Sequence, residues 1–288
     1  MPRHEILSYE EIALVVSAAA EMGISKIRIS GGEPLVREGV LKLIEMLSGI
    51  QGIDDLALTT NGVLLASQAE QLVQAGLKRI NISLDTLRPA RFKDITGFDR
   101  LDDVMKGIEE AHRAGLEPVK VNVVVMRGIN DDELADFARL TKDGWNVRFI
   151  ELMPLIGRGK RLPEFVSARE MWDRLSSLGE LQACSAPQGN GPAKYYRFDG
   201  ARGTLGFITP VSEHFCFRCN RLRLTADGKL LPCLLADEAI DIRSSLRSEA
   251  STDEIRRLIL EAVVRKPRGH QVAQGLVPEG RTMTQVGG

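Results

Sequence analysis

The chain has 288 residues, 27% of them charged and 43% hydrophobic, with 38 Lys and Arg balanced by 39 Asp and Glu to a net charge of −1. That balance leaves no global field for a polyanion such as nucleic acid, so any anion recognition has to be local. No apolar run approaches the roughly 20 residues of a membrane span and no signal peptide opens the chain, so we expect a soluble cytoplasmic protein that engages neither membrane nor nucleic acid.

In chain order, Ser8 with Glu11 is a capping box, in which a serine hydroxyl and a glutamate three residues on satisfy free amides of a helix's first turn. A strand is predicted over residues 26–30, closed by Gly31-Gly32-Glu33-Pro34. A second follows over 56–59, leading into Thr60-Asn61-Gly62, and Ser67 with Glu70 marks another helix start. The third strand, 79–84, carries Asn81 and Ser83 and is followed by Asp85. Over 101–114, Leu101, Val104, Ile108 and Ala111 keep the helical period. Strands over 119–126, with Lys120 and Asn122, and over 147–152, ending at Met153, complete an alternation of helix and strand. A Gly-rich basic segment at 154–163, a helix at 167–178, a Gly/Pro-rich loop at 187–192, a β-rich stretch at 195–225 and a final helix at 252–266 follow.

Such alternation implies parallel strands with right-handed crossovers. The expected fold class is α/β, a partial TIM-type βα barrel over residues 1–153, with a smaller β-containing region over 154–288. The chain enters at a helix rather than a strand, so the 26–30 strand is expected to present an exposed edge.

In parallel α/β folds chemistry collects at the carboxyl ends of the strands, and here those ends carry Gly32, Thr59, Ser83, Glu151 and Met153. Each alone is also an ordinary turn, cap or core residue. Arg28 and Lys120 sit inside apolar strands, where a charge is costly unless it meets an anion. A salt bridge to Glu33 or Glu151 would satisfy them; so would a phosphate.

Cys216, Cys219 and Cys233 form a C-x2-C-x13-C array around Asn220-Arg221-Leu222-Arg223 and an Asp227-Gly228 turn. A hairpin at that turn would return Cys233 to the CxxC pair, making a metal or iron–sulfur site. Arg221 and Arg223 should share one face of the outgoing strand, Leu222 and Leu224 the other. Spacing alone leaves structural zinc and iron–sulfur both open, with Cys184 and His214 the candidates for a fourth ligand.

Taken together, Gly31-Gly32-Glu33-Pro34, Thr59-Thr60-Asn61-Gly62, Asn81-Ile82-Ser83-Leu84-Asp85, Lys120-Val121-Asn122, the run from Arg148 to Met153, the run from Cys216 to Arg223 and the terminal Gly287-Gly288 resemble, in order, the GTP 3′,8-cyclase family of radical S-adenosylmethionine enzymes in molybdenum cofactor biosynthesis. The resemblance runs from about residue 5 to the last. It implies a lyase with two 4Fe-4S clusters at opposite ends of one chamber. The N-terminal cluster cleaves S-adenosylmethionine, and the resulting radical takes the 3′ hydrogen of GTP, giving (8S)-3′,8-cyclo-7,8-dihydroguanosine 5′-triphosphate. Carried over by position, Gly32, Ser83 and Met153 match S-adenosylmethionine contacts, and Arg28, Thr59, Lys120, Arg221, Leu222 and Arg223 match GTP contacts. Cys216, Cys219 and Cys233 match the C-terminal cluster, whose open iron holds guanine. An electron donor, a downstream cyclic pyranopterin monophosphate synthase and a homodimer are the partners implied.

One departure is large: no cysteine precedes Cys184, so the family's N-terminal C-x3-C-x2-C loop is absent from this sequence. The expectation is a truncated family member that carries one cluster and does not by itself cleave S-adenosylmethionine. The alternative is a non-catalytic nucleotide-binding iron–sulfur or zinc protein.

Overall fold

The computed structural model describes residues 3–153, 164–189, 191–235, 238–248 and 250–270; the basic 154–163 segment and Gly287-Gly288 lie outside the described residues. The strands are β1 (Lys26–Ile29), β2 (Asp55–Thr60), β3 (Arg79–Ser83), β4 (Val119–Val125), β5 (Asn146–Glu151), β6 (Leu181–Ala183), β7 (Lys194–Phe198), β8 (Thr204–Ile208), β9 (Arg223–Leu224), β10 (Lys229–Leu231) and β11 (Ile240–Asp241). The helices are α1 (Tyr9–Glu21), α2 (Val40–Ser48), α3 (Ala69–Gln74), α4 (Pro89–Thr96), α5 (Leu101–Arg113), α6 (Leu134–Arg139), α7 (Ala168–Ser176), α8 (Arg243–Arg247) and α9 (Thr252–Val264).

Helix starts follow local chemistry. Ser8 accepts from the Glu11 amide and Glu11 Oε2 accepts from the Ser8 amide at 2.6 Å, a complete box. Ser167 and Ser251 also cap, but their glutamates turn outward to arginines. The pair Ser67/Glu70 forms no box: residues 65–67 tighten into a 3-10 turn, the Ser67 hydroxyl donates back to Leu64, and α3 begins two residues later.

The large sheet has the order β1-β2-β3-β4-β5-β8-β7-β6. The strands β1 to β5 and then β8 run parallel, while β7 and β6 close it as antiparallel strands. The sheet therefore runs on past residue 154, because β8 pairs with β5 from Asn146↔Thr204 to Ile150↔Ile208. In this linear order β1 pairs, among the described residues, with β2 alone, and its residues alternate between exposed and half-buried. This matches an incomplete barrel with an open first edge.

One face of the sheet is apolar. Leu58, Ile80, Ile82, Val121, Val123, Val147, Phe149 and Leu205 are all at most 2% exposed and pack with α2, α3, α5, α6 and α7 into one core. Burying each such side chain contributes roughly 1.5–3 kcal/mol. A second core joins Val15, Ala18 and Ala19 of α1 to Leu230, Ile240 and Ile242 of the β9–β11 region and to Ile255, Leu258, Ile259 and Ala262 of α9. The cysteine-bearing region thus docks on α1. A backbone bond from Leu7 N–H to Ala226 O at 2.8 Å ties the turn of that region, and a bond from the Arg243 guanidinium to Glu5 O at 2.6 Å ties the start of α8, to the residues before α1.

Candidate functional site

Register places the polar strand residues on the face opposite the main core. The pairing Arg28↔Ala57↔Arg79 forms one row, Thr59↔Asn81↔Lys120↔Asn146↔Thr204 the next, and Ser83↔Asn122↔Arg148↔Gly206↔Tyr195 a third. Side chains two apart on a strand point the same way, so all three rows share one face. The strand interiors are thus apolar outward and cationic inward.

The partners of these cations are few. Arg79 makes a two-pronged bond to Asp55, 2.7 and 2.6 Å, with both side chains buried. Arg148, 3% exposed, donates from Nη2 to Asn81 Oδ1 at 2.5 Å, but its Nε and the neighbouring Asn122 Oδ1 are buried without a partner among the described residues. Lys120, also 3% exposed, donates to the carbonyls of Pro187 (3.3 Å) and Gln188 (2.5 Å). Burial first, and then the charges of Arg148, Arg79 and Arg28, lower its ammonium to a pKa of about 7. Arg28 has surface open to water, yet it is crowded enough that desolvation, followed by Arg148, Arg79, Arg221 and Arg223, lowers it to about 10. Among the described residues Arg28, Lys120 and Arg148 form no ion pair with a carboxylate, and cations gathered this way favour an incoming polyanion.

Neither salt bridge weighed in the sequence forms. Glu33 instead joins two strand-end loops, accepting from Leu35 N–H (3.0 Å), the Thr60 hydroxyl (2.7 Å) and Asn61 N–H (2.7 Å). Glu151, fully buried, accepts from the amides of Ala168 (2.8 Å), Val211 (3.1 Å) and Ser212 (2.9 Å) and from the Ser212 hydroxyl. Both carboxylates serve loop geometry and leave Arg28 and Lys120 unneutralised.

Gly32 is exposed just beyond β1, Ser83 is exposed at the end of β3, and Met153 is half-buried two residues past β5. All three therefore lie at carboxyl ends of parallel strands. Thr59 is 7% exposed and accepts from Asn81 Nδ2 at 3.3 Å. Next to Ser83, Asp85 accepts from Val124 N–H at 2.8 Å, and burial raises its carboxyl to about 6.

The cysteine hairpin forms with a longer turn than two residues. The strands β9 and β10 pair as Arg223↔Leu231 and Leu224↔Leu230, and Thr225 to Gly228 make the turn. Gly228, at φ +75°, is required there: a Cβ would lie 2.5 Å from Arg243 Cβ. Leu222 and Leu224 pack into the second core, so any ligand contact by Leu222 would come from its backbone. Arg223 lies on the other side, near Cys219 and Cys233; burial and Arg221 lower its pKa to about 10, while the two cysteines raise it. Burial would raise the Cys219 thiol, but the Arg221 amide and guanidinium, with Lys266, bring it below its ordinary value. The Leu235 amide donates to Cys233 Sγ at 3.4 Å, and Cys216 and Cys219 span a 3-10 turn. Among the described residues no group of three or more His, Cys, Asp or Glu is drawn together closely enough to hold a metal ion as it stands. A cavity of about 580 Å³ adjoins this region, lined in part by Lys194, Glu213, His214, Phe215, Cys219 and Arg221. Cys184 follows β6, its amide bonded to Tyr195 O at 3.0 Å.

Arg79 and Tyr195 are site-facing residues that the sequence did not single out, and Asn81 and Arg148 stood there only as parts of motifs with no role assigned. The signal that marked Arg28 and Lys120, a charge inside an apolar strand, was equally present at Arg79 and Arg148.

Among the described residues no helix is long and apolar enough to cross a membrane. The Radical SAM superfamily model matches residues 1–141, and the Molybdenum Cofactor Synthesis C model matches residues 145–272. The chain is 50% identical over 290 residues to the GTP 3′,8-cyclase of Thermodesulfovibrio yellowstonii, covering 100% of this chain and 89% of that protein. It is 51% identical over 291 residues to the enzyme of the same name from Pelotomaculum thermopropionicum, with the same coverages. With Desulforamulus reducens GTP 3′,8-cyclase the identity is 49% over 293 residues, covering 100% of this chain and 89% of that one. With both of its halves matched and half of its residues shared along its whole length, the chain belongs to the GTP 3′,8-cyclase family of radical S-adenosylmethionine enzymes in molybdenum cofactor synthesis.

Proposed function

We propose that the cationic face of the sheet binds the triphosphate of GTP and that the cysteine hairpin holds the guanine end. One observation carries this reading: Arg28, Lys120 and Arg148 share an inward face on which Asp55 is already committed to Arg79, while Glu33 and Glu151 are committed to loop amides. A triphosphate supplies the missing negative charge, and guanidinium and ammonium donors to phosphate oxygen are charge-assisted bonds.

In this reading Arg28 and Lys120 grip phosphate from the sheet, Thr59 offers its hydroxyl, and Arg221 to Arg223 close on it from the hairpin. Gly32, Ser83 and Met153, at the strand ends, are the residues for S-adenosylmethionine. Gly32 lets backbone approach the ligand, Ser83 offers a hydroxyl and Met153 an apolar wall. Asp85 positions the loop behind Ser83 through its bond from the Val124 amide. Cys216, Cys219 and Cys233 would hold a 4Fe-4S cluster. The donor set fits, because a lowered Cys219 thiol and an amide-to-sulfur bond at Cys233 both favour thiolate. When bound, the cluster would offer an iron open to guanine; the hydrogen-abstracting group of the family reaction would come from S-adenosylmethionine only where the family's N-terminal cluster, whose C-x3-C-x2-C ligands are not in this sequence, supplies the electron that cleaves it. The protein residues bind, orient and exclude water around the ribose between them. The product would pass to a cyclic pyranopterin monophosphate synthase.

Equilibrium titration of the anaerobically reconstituted chain with GTP and with GMP tests the reading. GTP should bind at least about tenfold more tightly than GMP, since each lost charge-assisted bond costs roughly 1.5–3 kcal/mol. Equal affinities would overturn it.

A further inference from the structure

The loop after β6 reaches back across the sheet to Lys120, a contact that the proposed function does not require. An ammonium has three donors. Two go to the carbonyls of Pro187 and Gln188, and no third partner is recorded for Lys120 among the described residues. Gly189 then lies against both cations: a Cβ there would stand 3.2 Å from Arg79 Cζ and Nη1 and 3.2 Å from Lys120 Nζ. Its φ of +128° is also one that L side chains rarely adopt. Glycine is therefore what allows the loop backbone to lie this close. The Tyr195 ring centroid sits 6.0 Å from the same ammonium and bounds it on a further side.

We propose that residues 187–189 form a positioning strap for Lys120, holding two of its three donors so that the remaining one points at the phosphate. The strap is a positioning element, since it acts through Lys120 and need not touch substrate. This inference rests on Lys120 being a triphosphate contact. The groups that face Lys120 are Arg28 on β1, Asp55 on β2, Arg79 on β3, Arg148 on β5 and Tyr195 on β7. Two carbonyls fix an ammonium in direction as well as place, and that direction is lost if the loop is pushed away.

The test is a double-mutant cycle of Gly189→Ala and Lys120→Met, read as GTP affinity on the anaerobically reconstituted chain, with thermal unfolding as a check on folding. Gly189→Ala alone should weaken GTP about five- to tenfold by forcing the strap off the cations. In the Lys120→Met background the same substitution should change affinity by less than about twofold, because the residue it acts through is gone. A second readout is proton uptake on GTP binding at pH 8. It should fall in Gly189→Ala, because an ammonium released toward water is already protonated before GTP arrives. Full additivity of the two substitutions, or unchanged proton uptake in a folded Gly189→Ala protein, overturns the strap. If Lys120→Met alone leaves GTP affinity intact, the phosphate assignment of Lys120 fails first and the strap falls with it.

Discussion

Lys120 gives the sharpest numerical consequence of the proposed site. Its folded pKa of about 7 lies well below its ordinary value of 10.5, chiefly through burial and then through Arg148, Arg79 and Arg28. A triphosphate beside it reverses the balance and restores the charged form, so binding must take up a proton. With a free-state pKa of about 7, about 0.1 of the amine is neutral at pH 6 and about 0.9 at pH 8, so uptake should approach 0.9 proton per chain at pH 8. Working at pH 8 also keeps the GTP phosphates ionised, so the nucleotide's own titration does not contribute. The assay is calorimetry of GTP binding in buffers of different ionisation enthalpy, whose slope is the number of protons exchanged. Lys120→Met should reduce that slope to near zero. A buffer-independent enthalpy at pH 8 in the native protein would refute the assignment of Lys120 to phosphate. The same shift has a sign for stability: the depressed pKa contributes stability that is present above about pH 10.5 and is lost as pH falls toward 7, so the apo protein should gain stability on the alkaline side.

Arg223→Ala should weaken GTP binding by roughly ten- to hundredfold, the loss of one charge-assisted bond, while iron content per chain stays unchanged; loss of iron would make the residue structural. Cys233→Ser should abolish iron incorporation and Cys184→Ser should not, read as iron and sulfide per chain after reconstitution; stoichiometric zinc without iron would contradict the cluster. Glu33→Ala removes the acceptor of three bonds, two from Thr60 and Asn61 at the end of β2 and one from Leu35 in its own loop, and should cost roughly 1.5–3 kcal/mol in urea unfolding. Asp85, raised to about 6 by burial, contributes stability that is present below about pH 4 and lost as pH rises through 6. Asp85→Asn should therefore be more stable than the native chain at pH 8 and equal to it at pH 4, with its amide oxygen keeping the Val124 bond.

Local pattern made much of this fold readable. The five predicted strands from residue 26 to residue 152 lie within a residue of β1 to β5, and the 101–114 helix is α5, because a period of two or of 3.6 is written in consecutive residues. The alternation that puts Leu222 and Leu224 in a core and Arg223 on the other side was equally local. What escaped was non-local. Nothing near residue 204 announces that β8 pairs with β5, and the bonds from Lys120 to Pro187 and Gln188 span 67 and 68 residues. The committed states of Glu33 and Glu151 were also hidden, since each carboxylate is claimed by backbone amides that carry no sequence signature. Ser67 shows the limit of motifs: the box was in the sequence, but the chain turned before the helix began.

The most direct test of the account is an anaerobic crystal structure of the reconstituted chain with GTP. The account predicts phosphate oxygens bonded to Arg28, Lys120 and Arg223, with guanine beside Cys216, Cys219 and Cys233. A triphosphate bonded to neither Arg28 nor Lys120 would contradict it.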